Sequence, residues 1–136
     1  MPNSIAHVYF FRLMFAVTLV TVLVLGTLPM GHSLILNVND KLGHFMAFYA
    51  CALLIDFSFP YSRFGLKKVL PLLGYGLLIE IIQLYLSYRY FSLYDLLADA
   101  AGLLAYGLSI PLIRHLPLLK GRWENGTLLV PNEHVE

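Results

Sequence analysis

Residues 92–113 read SLYDLLADAAGLLAYGLSIPLI, and the fold follows from how this stretch is read. A helix of this length, rising about 1.5 Å per residue, can cross a hydrocarbon layer of about 30 Å. Ser92 precedes the apolar run as an N-cap whose side chain can accept from the first turn. Asp95 stands three residues on, where an acid completes a capping box in kind. Asp95, Asp99, Gly102 and Tyr106 recur at steps of four, three and four, so they share one helix face. Gly102 on that face permits close approach of a neighbouring helix, and Pro111 ends or kinks the segment.

Three further apolar segments precede it: about Tyr9–Leu28, about Asp40–Phe59 and about Leu66–Leu86. The first, at 20 residues, exceeds the 7–15 residues usual for a signal-peptide core; it reads as a retained membrane helix. Asn39 or Asp40 is the expected cap of the second, with Lys41 and His44 in its first turns. Lys67 and Lys68 are expected to anchor the third by snorkelling. In that segment Gly76, Glu80, Gln83 and Ser87 share a face that should look inward.

Composition agrees with this pattern. Of 136 residues, 59% are hydrophobic and 12% charged, with a mean hydropathy of +0.74. Soluble domains carry about 25% charged residues. Long stretches, Leu13–Asn39 and Ala100–Ile113 among them, have no charge, as expected where a charge at the bilayer centre costs several kcal/mol. The near-neutral charge and the absence of a basic tract exclude nucleic acid as an expected partner. The lone cysteine, Cys51, cannot form an intrachain disulfide and reads as a small buried filler. The expected fold is therefore all-α: a four-transmembrane-helix bundle, mainly antiparallel, over residues 1–115, with a short polar tail at 116–136. Asn125–Thr127 matches a glycosylation sequon.

Four crossings put the N-terminus, the loop between segments two and three, and the tail on one side. That side holds Arg12, Arg63, Lys67, Lys68, Arg114, Lys120 and Arg122, against Lys41 and Arg89 on the other. The positive-inside rule then makes both termini cytoplasmic. The outer ends of three helices gather Asp40, Lys41, His44, Glu80, Gln83, Ser87, Arg89, Ser92, Asp95 and Asp99. Intramembrane carboxyl groups need a partner, a proton or water. His44, Glu80 and Asp95 are the candidate proton-transfer residues. Lys41, Gln83, Arg89, Ser92 and Asp99 are the candidate ligand-binding residues, with the two cations suited to phosphate or carboxylate. Structural roles compete at each: helix-gluing hydrogen bonds for Glu80 and Asp99, capping for Ser92 and Asp95, headgroup anchoring for Lys41 and Arg89. Asp56 is expected to pair with Arg63 across the loop. The spacing of the acids specifies no metal and no cofactor is expected.

The segments DKLGHFMAFYA at 40–50, EIIQ at 80–83 and RYFSLYDLLADAAG at 89–102 resemble the VanZ-like family of small membrane proteins, named after a teicoplanin-resistance protein. The resemblance spans about residues 39–107. Lys41, His44, Glu80, Gln83, Arg89, Ser92, Asp95 and Gly102 match the family pattern, whereas Asp99 occupies a position where the family has asparagine. The resemblance implies an integral protein of the bacterial cytoplasmic membrane, linked to glycopeptide or envelope-stress tolerance, without an agreed reaction. The sequence thus leads to a membrane protein that recognises an anionic or amphiphilic envelope ligand, lipid-linked or cell-wall-related, alongside bilayer lipids. A membrane-embedded enzyme acting on a lipid-linked or phosphate-bearing substrate and a proton-coupled transport module, the latter requiring a homo-oligomer, stand beside it.

Overall fold

The computed structural model describes residues 3–29, 34–120 and 122–123; the sequon at Asn125 lies outside them. The described residues form four helices and no strand: α1 (Asn3–Thr27), α2 (Leu34–Ser58), α3 (Leu66–Leu84) and α4 (Leu93–Ile113). The all-α, four-helix expectation holds. Two helices, α1 over Ile5–Thr27 and α4, are long and apolar enough to cross a membrane. α2 carries Lys41, His44 and Asp56, and α3 carries Lys67, Lys68 and Glu80, which lowers their apolar content.

Consecutive helices run antiparallel, as cross-links show: Arg12 reaches Ser58, Lys68 reaches Asp56, and Glu80 reaches Ser92. The most extensive contact, however, joins the parallel pair α2 and α4. Along it, Lys41 meets Asp95, His44 meets Asp99 and Tyr49 meets Ser109. A Cβ at Gly102 would lie 2.3 Å from the Phe45 carbonyl oxygen and 3.0 Å from the Tyr49 nitrogen. The bare glycine is what lets the two backbones touch. Phe48, Cys51, Ala52 and Ile55 of α2, Leu72 of α3, and Leu103, Tyr106 and Ile113 of α4 form the apolar core. Phe15, Leu19 and Val22 of α1 pack on it from one side.

Polarity is inverted relative to a water-soluble bundle. Asp56, Ser58, Glu80 and Asp99 are wholly or almost wholly buried, while Leu104, Leu108 and Leu112 on α4 are 64%, 71% and 75% exposed. α1 likewise presents Tyr9, Phe10, Leu13, Val17, Val20 and Val24 outward.

Several local expectations are corrected. α2 begins at Leu34, so Asp40 lies inside the helix and does not cap it; its carboxylate instead lies 3.6 Å from Arg89 Nη1. α3 ends at Leu84, which leaves Ser87 in the following turn and exposed, off the buried face of Gly76, Glu80 and Gln83. Lys68 does not snorkel. Its ammonium is buried, 2.7 Å from Asp56 Oδ1, and also donates to the carbonyls of Phe59 and Ser62. Asp56 pairs with Lys68 and Arg122, not with the exposed Arg63, because only the former two are aimed into the bundle end. Arg122 thereby draws the start of the tail back onto the α2–α3 turn, where it also donates to the carbonyls of Asp56 and Pro60.

Candidate functional site

The outer-end residues singled out from sequence come together where the C-terminal ends of α1 and α3 meet the N-terminal parts of α2 and α4. The geometry follows from two pairs at four-residue spacing. Asp40 and His44 share a face of α2, and Asp95 and Asp99 share a face of α4. The parallel α2–α4 packing brings these faces together. His44 Nδ1 lies 2.8 Å from Asp99 Oδ1, and its Nε2 lies 4.0 Å from Asp95 Oδ2. Lys41 Nζ lies 3.0 Å from Asp95 Oδ1. With Asp99 accepting from Nδ1–H, Nε2 faces Asp95, as a donor in the imidazolium and as a free lone pair in the neutral ring.

α3 completes the centre from the far side. Ser92 caps α4, its Oγ accepting from Asp95 N at 3.2 Å. The reciprocal half of the expected capping box is supplied by another helix. Ser92 N–H donates to Glu80 Oε2 at 2.9 Å, and Asp95 is left free to face Lys41 and His44. This tie also accounts for one oxygen of a fully buried carboxylate in α3. Glu80 Oε1 and Asp99 Oδ2 are buried without a hydrogen-bond partner among the described residues. Gly76 makes room for the latter, since a Cβ there would stand 2.6 Å from it.

Gln83 and Arg89 serve the end of α1. Gln83 Nε2 donates to the Gly26 carbonyl at 2.7 Å. The Arg89 guanidinium donates to the carbonyls of Leu25 and Leu28, and Tyr88 Oη donates to that of Thr27 at 2.7 Å. These donors satisfy carbonyls that a helix C-terminus leaves without intrahelical partners. The structure therefore brings Lys41, His44, Glu80, Ser92, Asp95 and Asp99 into one hydrogen-bonded assembly. It commits Gln83 and Arg89 mainly to α1. The cation with an accessible side chain is Lys41, at 47%.

Sequence reasoning did not place Asp40 among the site residues. Ligand atoms of Asp40, His44 and Asp95 lie within 4.8 Å of one another. The signal available was the Asp40–His44 spacing, one helical turn on one face, which is masked once Asp40 is read as a cap.

No family model matches the chain, and no solved structure matches it. It is similar to an uncharacterized protein of Schizosaccharomyces pombe, 29% identical over 106 residues. The match covers 75% of this chain and 65% of that relative, so the chain spans less than two thirds of the relative's length.

Proposed function

We propose that the chain is a multi-pass membrane protein of the VanZ-like type, with all four helices crossing the bilayer and both ends cytoplasmic. We further propose that its polar centre recognises the phosphate or carboxylate headgroup of an amphiphile at the outer interface. Inverted polarity supports the membrane part. Leu42 and Met46 of α2, and Leu70, Leu78 and Leu84 of α3, are exposed, whereas the charged Asp56, Lys68 and Glu80 of the same helices are buried. Such a surface suits lipid and would be an aggregation liability in water. The basic Arg63, Lys67, Arg114 and Lys120 lie at or beyond helix ends opposite the polar centre, and Arg12 lies in the half of α1 nearer that end; under the positive-inside rule this supports an outward-facing centre.

The expected topology is testable by labelling intact cells with an impermeant maleimide. Cys51 is fully buried and gives a low background. Tyr90→Cys, at an exposed position between α3 and α4, is expected to react, and Arg63→Cys to react only after permeabilisation. The reverse pattern would overturn the orientation.

The observation that carries the ligand reading is the half-exposed Lys41 side chain, its ammonium on Asp95, beside the largely enclosed His44 and the buried Asp95 and Asp99. Dodecyl phosphate, titrated into the protein in dodecyl maltoside, is expected to bind saturably. Lys41→Ala is expected to weaken binding about tenfold, the loss of one charge-assisted hydrogen bond. Equal affinity in wild type and variant would sink this reading. The relative is from a yeast, so the ligand is defined here by headgroup chemistry; the family resemblance alone carries the link to a bacterial cytoplasmic membrane and to envelope-stress or glycopeptide tolerance.

One observation favours a second reading, hydrolysis of a lipid-linked phosphate ester. Asp99 orients His44 as a carboxylate orients an imidazole general base. Product release from a dodecyl phosphodiester, lost in His44→Ala, would distinguish turnover from binding.

A further inference from the structure

We propose that Asp40, His44 and Asp95 form a binding site for one divalent first-row transition-metal ion, and that Asp99 is the carboxylate that sets the imidazole from behind. The three donors come from two helices and lie within 4.8 Å of one another. Ligands of one ion, at bonds of about 2.0–2.2 Å, stand about 3.3–3.6 Å apart, so closure needs side-chain movements of about 1 Å. Asp40, with 28% of its side chain exposed, has the freedom to supply them.

Three features set this group apart from a surface cluster of acids. The first is His44. With Asp99 Oδ1 at 2.8 Å accepting from Nδ1–H, a neutral ring turns its Nε2 lone pair toward Asp95 Oδ2 at 4.0 Å. A carboxylate behind an imidazole is the arrangement that fixes the tautomer and raises the basicity of metal-ligating histidines. The second is Asp99 itself, fully buried, with Oδ1 on the imidazole and Oδ2 turned toward Gly76, so that it supports the ring without being a ligand. The third is charge balance. Asp95 pairs with Lys41 and Asp40 with Arg89, whereas Asp99 faces His44 and Glu80 accepts from the Ser92 N–H. Four carboxyl groups thus share two side-chain cations, an acid-rich setting that attracts a dication.

Two carboxylates and one imidazole suit Zn²⁺ or Mn²⁺ better than Ca²⁺ or Mg²⁺, which favour all-oxygen shells. Lys41 Nζ, 3.0 Å from Asp95 Oδ1, is the counter-charge of the metal-free centre, and its half-exposed chain can swing clear as the ion enters. Three protein donors leave a fourth tetrahedral position open. If the headgroup reading is right, a phosphate oxygen occupies that position; the metal site does not require that reading.

Zn²⁺ titration of the full chain, chelator-stripped in detergent and followed by calorimetry and metal content, tests the site. Wild type is expected to bind one equivalent that is lost in His44→Ala and in Asp95→Asn. Asp99→Asn, which keeps an acceptor for Nδ1, is expected to weaken binding about 10–100-fold, as loss of a supporting carboxylate does. Lys41→Ala is expected to bind at least as tightly as wild type. Because the last two variants leave the ligands in place, a folded Asp99→Asn protein with unchanged affinity counts against the proposal. So does a wild type without saturable uptake, or undiminished uptake by folded His44→Ala. Zn²⁺ uptake without dodecyl phosphate binding would sink the headgroup reading alone. Dodecyl phosphate binding without uptake would sink the metal site alone.

Discussion

Gly102→Ala is expected to separate α2 from α4 and to lower the unfolding temperature of the purified protein by more than any other single methyl group added to the bundle. The new Cβ would stand 2.3 Å from the Phe45 carbonyl oxygen and 3.0 Å from the Tyr49 nitrogen. Both obstacles are backbone, so no side chain can rotate out of the way. The helix has to retreat along its most extensive contact, and overpacking of this kind costs at least about 1–3 kcal/mol. The damage extends beyond stability. Phe45 follows His44 in α2, and Gly102 lies one turn after Asp99 in α4, so a retreat at this level also stretches the 2.8 Å link between His44 and Asp99. Thermal unfolding in detergent and Zn²⁺ titration should therefore fail together in this variant. Gly74→Ala is the matched control. Its Cβ would meet nothing within 4 Å, and replacing a mid-helix glycine removes a helix-propensity penalty of about 0.8–1.0 kcal/mol. That variant is expected to be as stable as wild type or more so. Equal unfolding temperatures for the two variants would mean that α2 and α4 do not touch at Gly102.

The contrast between these glycines shows what could be read from sequence. On α4, the steps linking Asp95, Asp99, Gly102 and Tyr106 mark one face, and all four residues are buried on it. On α3, Gly76, Glu80 and Gln83 were legible in the same way. Helical periodicity is local, so a short window carries it. The Ser92 cap was legible because its partner, Asp95, is three residues away. The partners across helices were not. Glu80 reaches Ser92 N in place of Asp95, and that choice depends on how α3 approaches α4. Arg89 looked free for a ligand, yet its guanidinium serves the carbonyls ending α1, more than 60 positions away in the chain. Asp40 was misread because α2 extends six residues before it, to Leu34, through a polar stretch, LNVN, that resembles a connection more than a helix. A bundle whose tightest seam joins parallel, non-consecutive helices hides its pairings from any rule built on neighbours.

Asp56→Asn is expected to destabilise the opposite end of the bundle by about 3–5 kcal/mol, the usual cost of removing one partner from a buried ion network. Asp56 Oδ1 lies 2.7 Å from Lys68 Nζ and 2.8 Å from Arg122 Nη2, and Oδ2 accepts from Tyr106 Oη at 2.8 Å. The side chains of Asp56, Lys68 and Arg122 are 1%, 5% and 5% exposed, so solvent cannot take over the compensation. Asparagine preserves the shape and an acceptor, but it leaves two cations with no counter-charge. The carbonyls of Phe59, Pro60 and Ser62 hold both cations in place, which prevents their escape and keeps the repulsion between them. Arg122 should be the first to leave, taking the start of the tail with it. Limited proteolysis near Arg122 is therefore expected to accelerate in Asp56→Asn, together with the fall in unfolding temperature. Adding Lys68→Met to Asp56→Asn removes one of the two stranded charges while retaining most of the buried volume, and should restore a large part of the lost stability. A double variant no more stable than Asp56→Asn would mean that packing at this end, and not charge compensation, sets the cost. In that case the tail is held chiefly by the contacts of Trp123 with Phe57.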